Sequence, residues 1–119
     1  LNVLSAGAAS FSSGVNAVDE LLALDVSACI AFDDVLAQGV CHGLEERNVT
    51  VPRDFSVIGC DDIMGSPLLT TVSSPSKTAG QKSVEMLASS LLSNLYPDTR
   101  LVLDTHLLLR NTAGPIKIW

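Results

Sequence analysis

The stretch ACIAFDDVLAQGVCHGLEERNVTVPRDFSVIGCDD, residues 28–62, contains two short apolar runs that each end at a pair of aspartates. The runs Ala28–Phe32 and Phe55–Cys60 have the length and continuity typical of strands buried on both faces of a sheet. Between them, small and apolar residues recur at the spacing of one helix face, at Leu36, Gly39, Val40, Gly43 and Leu44. The stretch therefore predicts a β-α-β unit in a parallel sheet.

The two aspartate pairs are the first candidates for a binding site. In a right-handed β-α-β unit both strands end at the same edge of the sheet, and open α/β sheets bind ligands at that edge. We therefore expect Asp33 and Asp61 to face one crevice, where each carboxylate can accept hydrogen bonds from hydroxyl groups. Asp34 has a simpler interpretation, as the N-cap of a helix that begins near Val35.

Four motifs around these aspartates occur in a fixed order. They read IAFDD at residues 30–34, AQG at 37–39, VPRDFSVIGCDD at 51–62 and PLLTTV at 67–72. This series resembles the lactose/galactose repressor (LacI/GalR) family of bacterial transcription regulators over residues 11–114. The resemblance implies an α/β fold: a parallel-sheet, Rossmann-like lobe of a type I periplasmic-binding-protein-like domain, with this chain as its truncated C-terminal part.

The resemblance also divides the chain. It places residues 1–74 in the second lobe of a two-lobed effector-binding domain, 75–110 in a helix and a strand that cross to the other lobe, and 111–119 in a tail. In the family, a helix-turn-helix segment that binds operator DNA precedes this domain, and nothing in this chain resembles it. The net charge of −6, with only seven Lys and Arg residues, agrees with that, because phosphate contacts need clustered positive charge.

The composition indicates one globular, cytoplasmic domain. The 119 residues are 47% hydrophobic and 17% charged, which allows a packed core, and no apolar run reaches the length of a membrane span. Cys29, Cys41 and Cys60 lack metal-ligand spacing and are interpreted as small buried residues in a reducing compartment. His42 and His106 lack partners at metal or nucleophile spacing, so we expect no metal site. We also expect no cofactor and, because the apolar runs are too short to span a bilayer, no membrane association.

Local patterns predict further elements in the N-terminal half. Leu1–Leu4 could form a short strand. Ser12 or Ser13 is expected to cap a helix whose apolar stripe consists of Val15, Val18, Leu21 and Leu22. The helix after Asp34 should end near Asn48, because asparagine tolerates the left-handed backbone that follows a helix.

The C-terminal half predicts an extended segment at residues 66–72, a helix from Ser76 and a last strand at Leu101–Leu109. Ser76 or Thr78 is expected to cap that helix. Its apolar stripe consists of Val84, Leu87, Ala88, Leu91, Leu92 and Leu95. Without the other lobe this stripe would be exposed, so we predict that the chain self-associates.

The resemblance assigns candidate ligand-binding residues. Asp61 matches the carboxylate that hydrogen-bonds the effector, and Asp33 matches a polar residue of the same pocket. Family members commonly carry an aromatic ring that stacks on the effector five residues before the glycine that matches Gly14, where this chain has Ala9. Phe11, two residues later, is the candidate substitute.

The resemblance also assigns supporting and interface residues. Ser74 lies where the family places a polar contact beside the hinge, although a turn-forming serine is the alternative interpretation. Asp62 is expected to cap or brace the following turn. The family forms homodimers, and the helix after Asp34 and the segment near residues 64–69 border the interface. The candidate dimer contacts are therefore Val40, His42, Met64 and Leu68.

Three functions compete. The leading interpretation is the effector-binding and dimerisation part of a LacI-family regulator, usually a repressor. Its small-molecule effector would be a sugar or a similar polar ligand. Its operator DNA would be bound by a domain outside this chain. The alternative, a periplasmic sugar-binding protein, shares the fold. The third is an enzyme that uses Asp33 and Asp61 as an acid–base or magnesium pair. Because the sequence has no nucleophile and base at plausible spacing and no phosphate loop, we predict that the protein is not an enzyme.

Overall fold

The computed structural model describes residues 1–63, 66–96 and 98–115. It contains three helices and four strands in these ranges: α1 Phe11–Ala23, β1 Ala28–Ile30, α2 Asp34–Glu46, β2 Ser56–Cys60, β3 Thr71–Ser73, α3 Ser76–Ser93 and β4 His106–Leu108. The strands form one sheet in the order β1-β2-β3-β4. The first three are parallel and β4 runs antiparallel to β3. The predicted α/β class and the central β-α-β unit are confirmed.

The register of the sheet decides where the site can lie. Ile30 pairs with Ile58 and Cys60 pairs with Val72, so β1, β2 and β3 run side by side in the same direction. Their carboxyl ends therefore meet at one edge of the sheet, which we call the rim. Asp33 and Asp61 follow β1 and β2 at this rim, as predicted.

Helices α1 and α2 pack unusually closely because three glycines line their contact. A Cβ atom on Gly39 would collide with the carbonyl oxygen of Phe11 and lie 3.1 Å from the Cα of Gly14. A Cβ atom on Gly43 would lie 2.7 Å from a methyl carbon of Val18. The spacing of Gly39 and Gly43, four residues apart on one helix, predicts close packing against a neighbouring element, and the structure confirms it.

A single apolar core lies between these helices and the sheet. Its buried members are Val18, Leu21, Ala31, Ala37, Val40, Leu44, Phe55, Val57 and Leu69. The prediction that β1 is buried on both faces is wrong: Ala31 is buried, whereas Ile30 and Phe32 are 73% and 79% exposed. Successive strand residues point to opposite faces, so the described elements cover only one face of β1. An apolar groove of about 530 Å³ is lined by Ile30 and also by residues of the two helices, among them Leu21 and Val40.

The helix starts differ from the predicted ones. The hydroxyl of Ser10, not that of Ser12 or Ser13, caps α1 by accepting a hydrogen bond from the Ser13 amide at 3.2 Å. Pro75 precedes α3, and no side chain caps that helix, so Ser76 and Thr78 were the wrong choice. Both helices start earlier than predicted, because the capping position is the last residue with a non-helical backbone and sequence patterns locate it only to within a turn.

The predicted N-cap of α2 is wrong, whereas the predicted backbone at its C-terminal end is confirmed. Asp33, with an extended backbone at φ −144°, caps the helix, and Asp34 is already its first helical residue. The prediction of Asp34 as the cap is therefore wrong. At the other end, Asn48 adopts the predicted left-handed backbone with φ 59°.

The strands are shorter than predicted. Leu1–Leu4 forms no strand, and within residues 66–72 only Thr71 and Val72 belong to one, because Pro67 and Leu68 form a turn. The last strand covers His106–Leu108 rather than Leu101–Leu109, because its only partner in the described chain is the three-residue strand β3.

Residues after β4 return to the sheet rather than forming a separate tail. The Val57 amide donates to the carbonyl of Thr112 at 2.7 Å, and the Thr112 hydroxyl donates to the carbonyl of Val57 at 2.7 Å. The Gly114 amide donates to the hydroxyl of Ser56 at 3.1 Å. Residues 116–119 of the predicted tail lie outside the described part of the chain.

Helix α3 has no buried residue. The predicted stripe is exposed, with Val84, Leu87, Leu91, Leu92 and Leu95 each at least 60% exposed. Across the described ranges, no helix is both long and apolar enough to cross a membrane.

The glycine contact between α1 and α2 predicts that Gly39→Ala destabilises the protein. Alanine normally favours a helix over glycine, but here its methyl group would meet the backbone of Phe11, which cannot move without separating the helices. We expect a loss of about 1–3 kcal/mol in the free energy of unfolding, measured by urea denaturation.

Gly80→Ala on α3 is the matched control, because a Cβ atom there meets nothing within 4 Å. It should stabilise the protein by about 0.5–1 kcal/mol. A Gly39→Ala variant as stable as the control would contradict the packing argument.

Candidate functional site

The rim brings two of the predicted ligand-binding residues into contact. Asp61 follows β2 and Ser74 follows β3, and the Ser74 hydroxyl donates to Oδ1 of Asp61 at 3.2 Å. The carboxylate of Asp61 is exposed, and its backbone has the left-handed φ of 97°. This pair presents a carboxylate and a hydroxyl side by side, an arrangement that can bind the hydroxyl groups of a ligand.

Asp33 lies at the same rim but is already engaged. Its Oδ1 accepts a hydrogen bond from the Leu36 amide at 2.7 Å, which caps α2. The helix N-terminus also stabilises a negative charge at this position. Asp33 can therefore offer a ligand only the part of its carboxylate that the cap does not use.

The pKa of the Cys60 thiol is affected by three nearby carboxylates. Its pKa is raised, first by burial and then by the negative charges of Asp61, Asp34 and Asp33. These three carboxylates come from two different aspartate pairs, so residues of both pairs lie near this thiol. The environment is acidic, which disfavours anionic ligands. The three cysteines are free, and each is half-buried where the sequence predicted buried residues.

Asp34 has a role that the sequence did not indicate. It is fully buried, and its Oδ1 accepts from the Thr71 hydroxyl at 2.5 Å while its Oδ2 accepts from the Ile63 amide at 2.7 Å. The carboxylate thus ties α2 to β3 and to the turn after β2. The only sequence signal was the pairing of two aspartates, since a helix uses only one of them as its cap.

Asp62 braces the turn after β2 through an ion pair. Its Oδ1 lies 2.7 Å from Nη2 of Arg110, whose Nη1 donates to the carbonyl of Leu69 at 3.1 Å. This agrees with the expected bracing role of Asp62. Arg110 follows β4, and no local pattern in the sequence indicates this role, because its partner lies 48 positions earlier.

Phe11 lies away from the Asp61–Ser74 pair. It is the first residue of α1, and its ring centroid lies 5.5 Å from that of His42, two turns into α2. A shallow cavity of about 630 Å³ at the rim is lined by the loop at residues 6–9 together with Phe32 and Cys60, among others, and Phe11 is not among its lining residues. Asp33, Asp61 and Ser74 are not among its lining residues either. The contact with His42 places the Phe11 ring about two turns along α2 from the N-terminus that Asp33 caps, so the structure does not support Phe11 as a partner of these residues.

The candidate dimer contacts occupy different environments. Val40 is 5% exposed and packs in the core, so its side chain is not available to a partner. The side chain of His42 is 51% exposed, with Nε2 3.5 Å from Oε1 of Glu46, and Leu68 is 61% exposed. Met64 lies outside the described residues.

Comparison with known proteins identifies the family. The periplasmic binding protein-like domain family matches residues 3–113. The HTH-type transcriptional regulator CelR of Thermobifida fusca is 32% identical over 117 residues, which cover 93% of this chain and 34% of that protein. The HTH-type transcriptional repressor PurR of Vibrio cholerae is 36% identical over 81 residues, which cover 63% of this chain and 24% of that protein.

Solved structures agree with these relatives. A LacI family transcriptional regulator from Enterococcus faecalis V583 with bound ribose superposes with a TM-score of 0.85 at 29% identity, over 92% of this chain and 43% of that chain. The CelR–cellobiose complex gives a TM-score of 0.79 at 32% identity, over 90% of this chain and 35% of that chain.

These relatives are transcriptional regulators rather than enzymes, and the alternative of a periplasmic sugar-binding protein is not favoured. The chain spans about a third or less of the length of the curated relatives named here. The chain therefore belongs to the family of periplasmic binding protein-like domains, in the form found in LacI-family transcriptional regulators, and it spans part of such a domain.

Proposed function

We propose that this chain is part of the effector-binding domain of a cytoplasmic LacI-family regulator, and that its rim binds a neutral, hydroxyl-rich small molecule such as a sugar. The observation that carries the proposal is the contact between Asp61 and Ser74 at the rim. An ionised carboxylate can accept two hydrogen bonds from adjacent ligand hydroxyls, and the serine can both donate and accept. The acidic surroundings of Cys60 add selectivity for ligands without negative charge.

Structural relatives support a sugar as the ligand class. The Enterococcus faecalis regulator holds ribose, CelR holds cellobiose, and a LacI family regulator from Arthrobacter sp. FB24 holds lactose. The last has a TM-score of 0.79 at 28% identity, over 89% of this chain and 43% of that chain. Because these sugars differ in size, the proposal names a class of ligand and not a single sugar.

The proposed mechanism is a shift between two arrangements of the lobes. In this proposal residues 1–74 form one lobe together with β4 and the residues after it, which return to the same sheet, and the chain crosses to the other lobe between β3 and β4. The ligand favours the arrangement in which both lobes contact it. The arrangement sets the spacing of DNA-binding heads in a homodimer, so ligand binding and operator binding are coupled.

His42 and Leu68 are the exposed candidates for the dimer interface. DNA contact is assigned to a helix-turn-helix domain outside this chain, since these residues are acidic.

The proposed function predicts an effect of a substitution at Asp61. Asp61→Asn keeps the size of the side chain but replaces one acceptor by a donor, so binding of the effector should weaken roughly 10- to 100-fold. The measurement is isothermal titration of the intact regulator with ribose, cellobiose and lactose. The 119-residue chain alone should bind these sugars weakly or not at all, because one lobe is incomplete.

Asp25→Asn is the matched control for Asp61→Asn. It makes the same chemical change at an exposed residue that follows α1 and precedes β1, hence far from the rim, and asparagine tolerates its left-handed backbone. The control should bind as the unmodified protein does. Equal affinity of both variants for a sugar that binds would refute the role of Asp61.

A further prediction concerns self-association. Because α3 exposes several leucines, the 119-residue chain should form dimers or larger species, and Leu87→Gln combined with Leu91→Gln should shift it toward the monomer. Light scattering over a concentration series measures the mass. Val102→Gln, at a 73% exposed residue outside α3, is the control and should leave the mass unchanged. A monomeric mass for the unmodified chain at every concentration would contradict the prediction.

A further inference from the structure

The turn that carries Asp61 has an unfavourable backbone. Two consecutive non-glycine residues, Asp61 with φ 97° and Asp62 with φ 57°, are left-handed. L-amino acids with a side chain rarely adopt this conformation, because Cβ then approaches the neighbouring carbonyl oxygen. Such a turn persists only if the surrounding structure holds it.

One restraint comes from the buried carboxylate of Asp34. It accepts the Ile63 amide on one oxygen and the Thr71 hydroxyl on the other, at 2.7 and 2.5 Å. The site has no spare room, because a Cβ atom on Gly59 would collide with Oδ1 of Asp34. Asp34 thus fixes the turn two residues after Asp61, and it cannot touch a ligand because it is fully buried.

The second restraint comes from Arg110. Its guanidinium pairs with Asp62 at 2.7 Å and donates to the carbonyl of Leu69 at 3.1 Å. Its own amide donates to the hydroxyl of Thr70 at 3.0 Å, so the arginine backbone is fixed as well. The side chain is 26% exposed and its partner Asp62 is 31% exposed, which leaves the pair partly shielded from water. Arg110 thus fixes the residue that directly follows Asp61.

We propose that Asp34 and Arg110 are positioning residues for the effector site. By holding Ile63 and Asp62 they fix the left-handed backbone of Asp61, and so direct its carboxylate toward Ser74 and the ligand. This inference rests on the proposed function, in which Asp61 binds the effector. It adds that the binding geometry depends on two residues outside the site, one at the start of α2 and one after β4.

The test compares two substitutions of Asp34 in the isotopically labelled 119-residue chain by NMR. Asp34→Ala removes both hydrogen bonds. Asp34→Asn can keep both, since its amide oxygen can accept from the Ile63 amide while its NH₂ group donates to the Thr71 hydroxyl. The readouts are the exchange rate of the Ile63 amide and the side-chain three-bond couplings of Asp61, which distinguish one χ1 rotamer from an average of several.

Asp34→Ala should raise the exchange rate of the Ile63 amide roughly 10- to 100-fold relative to the Val57 amide, which donates to the carbonyl of Thr112 and not to Asp34. The Asp61 couplings should change from those of one rotamer to averaged values. Asp34→Asn should restore both readouts to within about threefold of the unmodified protein, by retaining the hydrogen bonds. Unchanged Asp61 couplings in Asp34→Ala, or an Asp34→Asn variant as disturbed as Asp34→Ala, would overturn the proposal.

Arg110→Met provides a second variant if Asp34→Ala does not fold, because Arg110 is less buried. It removes the ion pair to Asp62 but keeps the aliphatic part of the side chain, and it should also average the Asp61 couplings. Couplings that stay at one rotamer in this variant would contradict the inference. None of these readouts needs a ligand, so an absence of sugar binding by the intact regulator would refute the proposed function and would leave this test of positioning decisive.

Discussion

The buried carboxylate of Asp34 imposes the strongest constraint on this structure. Removing a carboxylate from water is unfavourable unless protein donors replace the lost hydrogen bonds. Here the donors are the Thr71 hydroxyl and the Ile63 amide, which belong to β3 and to the turn after β2. If either donor were lost, the unsatisfied acceptor would destabilise the fold by about 1–3 kcal/mol. The first residue of α2 is thereby tied to two of the segments that form the rim.

The position of Asp34 depends in turn on how α2 packs. Gly14 and Gly39 let the backbones of α1 and α2 touch, and the core residues of both helices then pack beside β2. This fixes α2 with its N-terminus at the rim, where Asp33 caps it and Asp34 enters the protein interior. The close helix contact, the buried carboxylate and the rim are therefore parts of one arrangement.

The C-terminal segment completes the same arrangement from the other side. Arg110 holds Asp62 and the carbonyl of Leu69, while Thr112 bonds to Val57 in β2. The chain thus leaves this sheet after β3, forms α3, and returns through β4 to the turn beside Asp61. A hinge between lobes placed at this crossing would lie next to the residues that hold Asp61, the carboxylate that we propose binds the effector. In that proposal, ligand contact would be linked directly to the arrangement of the lobes.

The amino-acid sequence alone determined the β-α-β unit, the common edge for Asp33 and Asp61, the glycine packing of α2, the exposed stripe of α3 and the family. These follow from periodicity, from the direction of parallel strands and from motifs in fixed order, all of which are local properties of the chain. Only the tertiary structure decided which aspartate of the first pair caps α2 and which is buried, because both have the same capping chemistry. The choice depends on Thr71 and Ile63, which approach only after the sheet has formed. The same reason applies to Arg110, whose partner is 48 positions away, and to Phe11, whose ring follows the start of α1 toward His42.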